Sequence, residues 1–465
     1  MIPVTTRKDQ NIALFGLGGS GLVTAKALIA GGANVSAFDD NPASVEAASA
    51  EGVITRDLRE VDFSKIDALV LAPGVPLTHP KPHWSVDLAQ AENVPIIGDV
   101  ALFAEVLRAS EAIYQFIAIT GTNGKSTTTA LISHILDNAG RDTQMGGNIG
   151  RAVLSLDPIQ DGRHYVVECS SYQIDLAPEL DPDIGVLLNL APDHLDRHGT
   201  MENYASIKGR LVSGSKSSII GFDDPHSKEI TASLMNSGHD CFAISNSLPV
   251  EKGVFAKEGN LLSRIGDTEK IVASLEGIAT LRGSHNAQNA SAAYLACHLA
   301  GLGDLEIQKG LASFPGLAHR MEIIGNVGNT VFVNDSKGTN ADAAAMALSS
   351  FENIHWIAGG LAKEGGIDSL KPYFGRIAKA YLIGDAAPEF AVSLGNDVPY
   401  EISETLDVAV RSAAGATEEC NKDAVVLLSP ACASFDQFKN FEIRGDAFRV
   451  EVHKLPGLIP YGGIQ

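Results

Sequence analysis

The sequence predicts an α/β fold of three parallel-sheet domains, and three observations carry that prediction. Short apolar runs ending in Gly, Asp or Asn recur along the chain, each followed by a segment of helical spacing, as in parallel strands joined by crossover helices. Glycine is abundant, 46 of 465 residues, which suits strand ends that turn tightly around a ligand. The length exceeds what one core supports and fits roughly two to four domains.

Taken in order, the first group of runs is Ile12–Phe15, Val35–Phe38, Ala68–Leu71 and Ile96–Ile97, with an exit helix over Val100–Ala109 and a linker near 105–112. The second comprises Phe116–Ile119, Tyr165–Val167, Ile184–Leu190 and Ser217–Gly221, then an alanine-rich helix over Asn286–Ala300, and it ends near Phe314-Pro315-Gly316. The third holds Val331–Val333, Ile354–Ala358, Tyr381–Ile383 and Val425–Leu428 before Ser429-Pro430. Domains of 1–108, 109–316 and 317–465 follow, the outer two Rossmann-like and the central one of P-loop ATPase type.

Thirty-five basic against 56 acidic residues give a net charge of −21, which repels polyanions and argues against nucleic-acid binding. The five cysteines (Cys169, Cys241, Cys297, Cys420, Cys432) are scattered without a C-x-x-C pair, so neither a disulfide framework nor a zinc site is expected, and a reducing cytoplasm fits. Met1 to Lys8 leads straight into a strand, and no run approaches the roughly 18 apolar residues of a membrane span. Neither a targeting signal nor a membrane segment is expected.

Between the apolar run Phe116–Ile119 and a helix-spaced segment lies Gly121-Thr122-Asn123-Gly124-Lys125-Ser126-Thr127. Such a turn offers backbone N–H groups and a helix N-terminus to phosphate oxygens, Lys125 adding a charge and Ser126 a hydroxyl for Mg²⁺. Its spacing is shorter than the general G-x-x-x-x-G-K-[ST] loop. Glu168 ends the run Tyr165–Val167, where a carboxylate can face a nucleotide's metal or cap the helix beginning at Ser170 and Ser171. Polar residues cluster again in Asp193-His194-Leu195-Asp196-Arg197-His198, though a lone loop histidine is more often a local hydrogen-bonding group. Near the N-terminus, Gly16-Leu17-Gly18-Gly19-Ser20-Gly21 with Asp39 and Asp40 fits a dinucleotide fingerprint, yet any nucleotide diphosphate satisfies the same physics.

The short loop Thr120–Thr127 resembles the one shared by the Mur ligases and folylpolyglutamate synthetase. Together with Gly146–Gly150, Asp193–Arg197, Asn334–Asn340 and Leu428–Phe438, it is similar to the D-glutamate-adding branch of the Mur ligase family, with matches from about 16 to 445. The resemblance implies an enzyme that uses ATP to join D-glutamate to UDP-N-acetylmuramoyl-L-alanine through an acyl phosphate and a tetrahedral intermediate. It implies a cytoplasmic monomer in peptidoglycan precursor synthesis, with domains that in order hold UDP, ATP and the amino acid.

By the same resemblance, Gly121, Thr122, Asn123, Gly124, Lys125, Ser126, Thr127, Asn286, Asn289, Arg320 and Asp335 would bind ATP, with His319 beside Arg320. Lys125, His194, Lys208 and Lys337 would serve catalysis. Ser126 and Glu168 would hold one Mg²⁺, and His194 and Lys208 a second. An ammonium cannot bind a metal, so Lys208 would act as an N-carbamate formed with CO₂. Gly18, Gly19, Ser20, Asp39, Asp40, Gly74, Asn148, Ser170 and Gln173 would hold the UDP-linked substrate, and Thr339, Lys363, Ser434 and the Phe441 backbone would hold D-glutamate. Ala72, where relatives have serine, and Asp40-Asn41, without their arginine, depart from the pattern at the uridine end. An NAD oxidoreductase would leave the Lys125 loop, Glu168 and the third-domain motifs without a purpose, and a P-loop switch would give no reason for a third domain carrying Asp335, Lys337 and Lys363.

Overall fold

The apolar runs become three mainly parallel sheets. A computed structural model describes the chain except residues 267, 363–365, 419–421 and 462–465, and it divides into two compact units, Met1–Ala312 and Ser313–Gln465.

The first unit holds two of the sheets. One has β1 (Asn11–Phe15), β2 (Asn34–Phe38), β3 (Ala68–Leu71) and β4 (Ile96–Ile97) in the order β2-β1-β3-β4, all parallel. Because the chain passes from β2 back across β1 to β3, the loops after β1 and β3 part at the strands' carboxyl ends and leave a crevice. Gly21 lets the Gly19–Ala30 helix start hard against β1, since a Cβ there would lie 1.8 Å from the Gly16 carbonyl oxygen.

The other sheet has nine strands: β5 (Gln115–Thr120), β6 (Thr143–Gly147), β7 (His164–Glu168), β8 (Ile184–Leu187), β9 (Ser217–Gly221), β10 (Cys241–Ser245), β11 (Gly253–Lys257), β12 (Asn260–Arg264) and β13 (Lys270–Ser274). Its order, β13-β12-β11-β10-β9-β8-β5-β7-β6, puts β7 and β8 on either side of β5, so the phosphate-loop sequence leaves the sheet at a switch point. The run expected as strand to Leu190 stops at Leu187. Asn189 turns out of the sheet to accept from the Asn123 N–H (2.9 Å) and donate to the Asn123 carbonyl (3.2 Å). Strands β6 and β10 to β13 have no counterpart among the expected runs. The antiparallel pair β11–β12 is turned by Glu258 and Gly259, with φ of 52° and 74°.

One apolar core runs through both sheets of this unit, from Ile2, Leu14 and Val100 to Phe116, Tyr165 and Leu211. Phe103, on the Asp99–Arg108 helix, meets Phe116 and Tyr165 edge-on with ring centroids 5.3 Å from each. Burying that ring is worth roughly 3 kcal/mol, which makes the expected exit helix a wedge between the sheets.

In the second unit, β14 (Glu322–Val327), β15 (Thr330–Asn334), β16 (Ile354–Gly359), β17 (Ile377–Ile383), β18 (Tyr400–Glu404), β19 (Ala424–Leu428) and β20 (Ile459–Pro460) form a sheet ordered β18-β17-β16-β19-β15-β14-β20. The five strands from β18 to β15 are parallel, and β14 and β20 close the edge antiparallel. Buried Trp356 on β16 donates its Nε1–H to the Ser429 carbonyl (2.8 Å), fixing the loop that leaves β19. Among the described residues no helix is long and apolar enough to cross a membrane, and Cys169, Cys241, Cys297 and Cys432 are buried thiols. Cys420 lies outside the described residues.

Candidate functional site

At the end of β5 the chain turns through Gly121 (φ 150°) and Gly124 (φ 84°) into the Lys125–Asn138 helix. Gly124 is that helix's N-cap in a left-handed conformation, so the positive end of the helix opens towards the loop. The Lys125 ammonium donates to the carbonyls of Gly121 (2.9 Å) and Thr122 (2.8 Å), across the mouth of the loop. Asn289, one helical turn from Asn286, accepts from Thr128 Oγ1 (3.2 Å) and from behind meets the space a Gly124 side chain would fill. A Cβ at Gly124 would lie 2.3 Å from Asn289 Oδ1. Gly124→Ala is therefore expected to cost about 1–3 kcal/mol in chemical denaturation and to weaken nucleotide binding in calorimetry. Native stability and affinity in that variant would contradict the tight packing.

Glu168, at the end of β7, is 1% exposed. Its Oε1 accepts from Asn148 Nδ2 (2.7 Å), while its Oε2 is buried without a hydrogen-bond partner. The helix that follows has its own cap: Ser170 and Gln173 form a reciprocal capping box, so Glu168 is not that cap. A buried carboxylate oxygen left unpaired is costly unless a cation completes it, and the hydroxyl-bearing helix start at Ser126 lies beyond the neighbouring strand β5. Among the described residues no three His, Cys, Asp or Glu side chains converge as a metal site by themselves.

Lys208, on the Met201–Ser213 helix, is 1% exposed and donates to Gly121 O (2.8 Å) and Thr120 Oγ1 (3.0 Å). Both Lys125 and Lys208 thus point at one carbonyl, that of Gly121. Burial above all, and then the nearby Lys125 charge, push the Lys208 ammonium down to about 7. Tyr204, one turn earlier, shares a hydrogen bond with Thr122 Oγ1 (3.1 Å). His194 sits at φ 52° in the loop after β8, half exposed, with Nε2 3.4 Å from Asp193 Oδ2.

The crevice between the β1 and β3 loops opens into a cleft of about 690 Å³. Gly18, Gly19, Ser20, Asp39 and Gly74 line one side, Asn148 and Gln173 the other. Asp39 holds the glycine loop, accepting from the N–H groups of Leu17 (2.6 Å) and Asn41 (2.8 Å). Two expected residues do not line the cleft. Asp40 pairs with His83 (3.1 Å) and Arg59 (3.7 Å), and Ser170 is engaged as a helix cap. Gln173 also bonds the buried carboxyl of Asp99, which burial raises above the usual carboxylate range. Asp99 and Tyr172 drew no expectation, and Asn189 and Arg197 were expected only as part of a strand and of a polar cluster, because the partners that decide their roles lie far away in sequence.

In the second unit the loops after β15 and β19 meet at the sheet's carboxyl end. Asp335 is buried, accepts from Ser429 Oγ (2.7 Å) and from the Met321 N–H (3.2 Å), and burial raises its carboxyl to about 7. The Lys337 N–H donates to the His319 carbonyl (2.9 Å), which brings Arg320 to the same loop, and its ammonium lies 5.6 Å from the Phe441 ring centroid. Gly338 accepts from the Ala431 N–H (2.8 Å), stitching the bases of the loops that carry Thr339 and Ser434. Phe441 opens the Phe441–His453 helix, where backbone N–H groups suit an anion. Lys363 lies outside the described residues. Buried Arg444 was not anticipated; it donates to the Ser336 (2.9 Å) and Cys432 (3.1 Å) carbonyls and so sets both loops. Its place in the stripe Arg444, Phe448, Val452 is the signal that could have found it.

Two family models match the chain: the Mur ligase middle domain over residues 119–297 and the Mur ligase glutamate ligase domain over 319–432. A UDP-N-acetylmuramoylalanine–D-glutamate ligase of Agrobacterium fabrum is 62% identical over 459 residues, 98% of each chain. One of the same name from Mesorhizobium japonicum is 60% identical over 468 residues, covering all of both.

The chain belongs to the Mur ligase family.

Solved Mur ligases share its fold at low identity. A UDP-N-acetylmuramoyl-L-alanyl-D-glutamate–2,6-diaminopimelate ligase superposes with a TM-score of 0.57 at 19% identity, covering 98% of this chain and 95% of that one. A UDP-N-acetylmuramate–alanine ligase of Thermotoga maritima gives 0.53 at 17%, covering 96% and 99%. The Mur ligase middle-domain match begins at Ile119, the last β5 residue before Thr120, and takes in the Lys125 loop, Glu168, His194, Lys208 and Asn289.

Proposed function

We propose that this Mur ligase adds D-glutamate to UDP-N-acetylmuramoyl-L-alanine at the expense of ATP. The observation that carries the reading is the identity of about 60% over the whole length with relatives of that name. We assign the UDP moiety to 1–108, ATP to 109–316 and the amino acid to 317–465.

In this reading the γ-phosphoryl group of ATP passes to the alanyl carboxylate, giving ADP and an acyl phosphate. The D-glutamate amine then attacks the acyl carbon, loses a proton, and the tetrahedral intermediate expels phosphate. Both steps bring anions together, so the chain's task is neutralisation and alignment. Lys125 exchanges its loop carbonyls for phosphate oxygens, a stronger charge-assisted contact. The first-turn N–H groups after Gly124 receive the phosphate chain, while Asn286 and Asn289, with Arg320 and Asp335, take the nucleoside. Asn148 and Gln173 align the muramoyl-alanine end, and Thr339, Lys363, Ser434 and the Phe441 N–H take the carboxylates of D-glutamate. Ser126 and Glu168 would hold one Mg²⁺, and His194 with a carbamylated Lys208 a second, ions that offset phosphate charge. The orphaned Glu168 oxygen and the depressed Lys208 ammonium support that donor set.

Phosphate release measured with ATP, Mg²⁺ and UDP-N-acetylmuramoyl-L-alanine is expected to require D-glutamate, with L-alanine, L-glutamate and L-lysine near background. Equal turnover with L-alanine would overturn the assignment, and tight NADH binding would revive the oxidoreductase reading of the first glycine loop.

A further inference from the structure

Arg197 has no role in the chemistry above, yet one side chain there touches the rim of the UDP cleft and the loop of His194 together. Its NH1 donates to the Gly74 carbonyl (2.9 Å), and its NH2 to those of Val75 (3.0 Å) and Pro73 (3.5 Å). Those three residues follow β3 and line the cleft. The guanidinium lies 4.5 Å from the Tyr172 ring centroid, and Tyr172 in turn lies 5.0 Å from the His194 ring and stacks on His198 at 5.4 Å. His198 is buried and bonds Ser171 Oγ (2.9 Å), in the helix that begins just after the Ser170 cap.

A planar fork that satisfies consecutive carbonyls while its face rests on an aromatic ring is a rigid joint, which a lysine cannot reproduce. The same loop packs Val75 and Leu77 in an apolar cluster with Leu176, but its polar backbone is gripped by the guanidinium, and a carbonyl bonded to arginine shifts only if the arginine shifts with it. Movement of the Pro73–Val75 rim, as on closing over a ligand, is therefore passed to Tyr172 and on to His194.

We propose that Arg197 is a positioning residue that couples occupancy of the UDP cleft to the His194 side of the nucleotide site, so that each ligand tightens the other. The inference rests on the ligase reading for the identity of the two ligands. Linkage requires the effect to be reciprocal, and coupling between protein sites commonly amounts to about 5- to 150-fold in affinity.

The test is calorimetry of a non-hydrolysable ATP analogue with Mg²⁺, with and without saturating UDP-N-acetylmuramoyl-L-alanine. In the native chain the UDP-linked ligand is expected to tighten the analogue at least fivefold. Arg197→Met and Arg197→Lys are both expected to cut that factor roughly threefold or more, leaving the analogue's affinity alone within about twofold. The coupling factor is the informative readout, because a merely structural role would weaken both ligands without changing their ratio. Native coupling in Arg197→Met, or its full rescue in Arg197→Lys, overturns the proposal. Should the Arg197 variants fail to fold by circular dichroism, Tyr172→Leu carries the same expectation and the same power to refute. A native chain that turns over with D-glutamate but shows no coupling sinks this inference alone, whereas one that binds neither ligand sinks the ligase reading with it.

Discussion

Lys208→Ala is expected to lower D-glutamate-dependent phosphate release on the order of 10³-fold, with formate or acetate restoring part of the loss. The expectation rests on where the ammonium sits. It is 1% exposed, between Thr120 and Gly121, with Lys125 directed at the same carbonyl. With its ammonium pushed down to about 7, about half of the side chain is the neutral amine at pH 7, against almost none for an ordinary lysine. A neutral amine takes up CO₂ and releases a proton, so the carbamate is favoured as pH rises through 7 and disfavoured below about 6. Activity is expected to follow that trend and to rise with added bicarbonate near pH 6.5.

The stability consequence has a definite sign. Because the folded state binds this proton less tightly than the unfolded chain, the unmodified lysine costs stability below about pH 7, and the cost fades as pH rises towards 10.5. Short acids can stand in for a missing carbamate oxygen but not for a missing ammonium, so chemical rescue separates the two roles. A variant with full activity, or one that no carboxylate revives, would return Lys208 to the status of a buried loop-holding cation.

Glu168→Gln is expected to reduce turnover about 10²- to 10³-fold and to raise the Mg²⁺ concentration needed for half-maximal rate. The substitution keeps an acceptor for Asn148 and replaces the unpartnered Oε2 by an amide nitrogen that cannot bind a cation. Since Ser170 and Gln173 cap the next helix by themselves, fold and stability should change little. A Mg²⁺ titration identical to that of the native chain would argue that the orphaned oxygen has another purpose. Paired with Lys208→Ala, this variant distinguishes the two ion positions, because only the lysine variant should respond to formate.

Much of the candidate site was legible because its signals are local. A strand, a glycine turn and a helix start occupy consecutive residues, so Gly121 to Thr127 and Gly16 to Gly21 announce phosphate-sized cradles without any knowledge of the rest of the chain. Asp335 and Lys337 entered instead through the resemblance of Asn334–Asn340 to the Mur ligases. Less legible were the elements whose meaning lies in pairing. The run to Leu190 reads as continuous strand, and nothing nearby in sequence reveals that Asn189 leaves it to grip Asn123, 66 residues away. Strands β11 to β13 extend the sheet through antiparallel turns that the parallel pattern does not suggest.

The sequence by itself determined the α/β class, the order of the strands that end in chemistry-bearing loops, and the residue types available for phosphate, cation and carboxylate. Only the tertiary structure decided what state those residues are in. Lys208 is an unremarkable helix lysine until Thr120, Gly121, Cys169 and Tyr204 close around it, and Arg197 is one charge in a polar loop until three carbonyls from beyond β3 arrive at its fork. Desolvation and multi-point hydrogen bonding are sums over neighbours drawn from distant parts of the chain, whereas a turn or a strand end is a property of the few residues that form it.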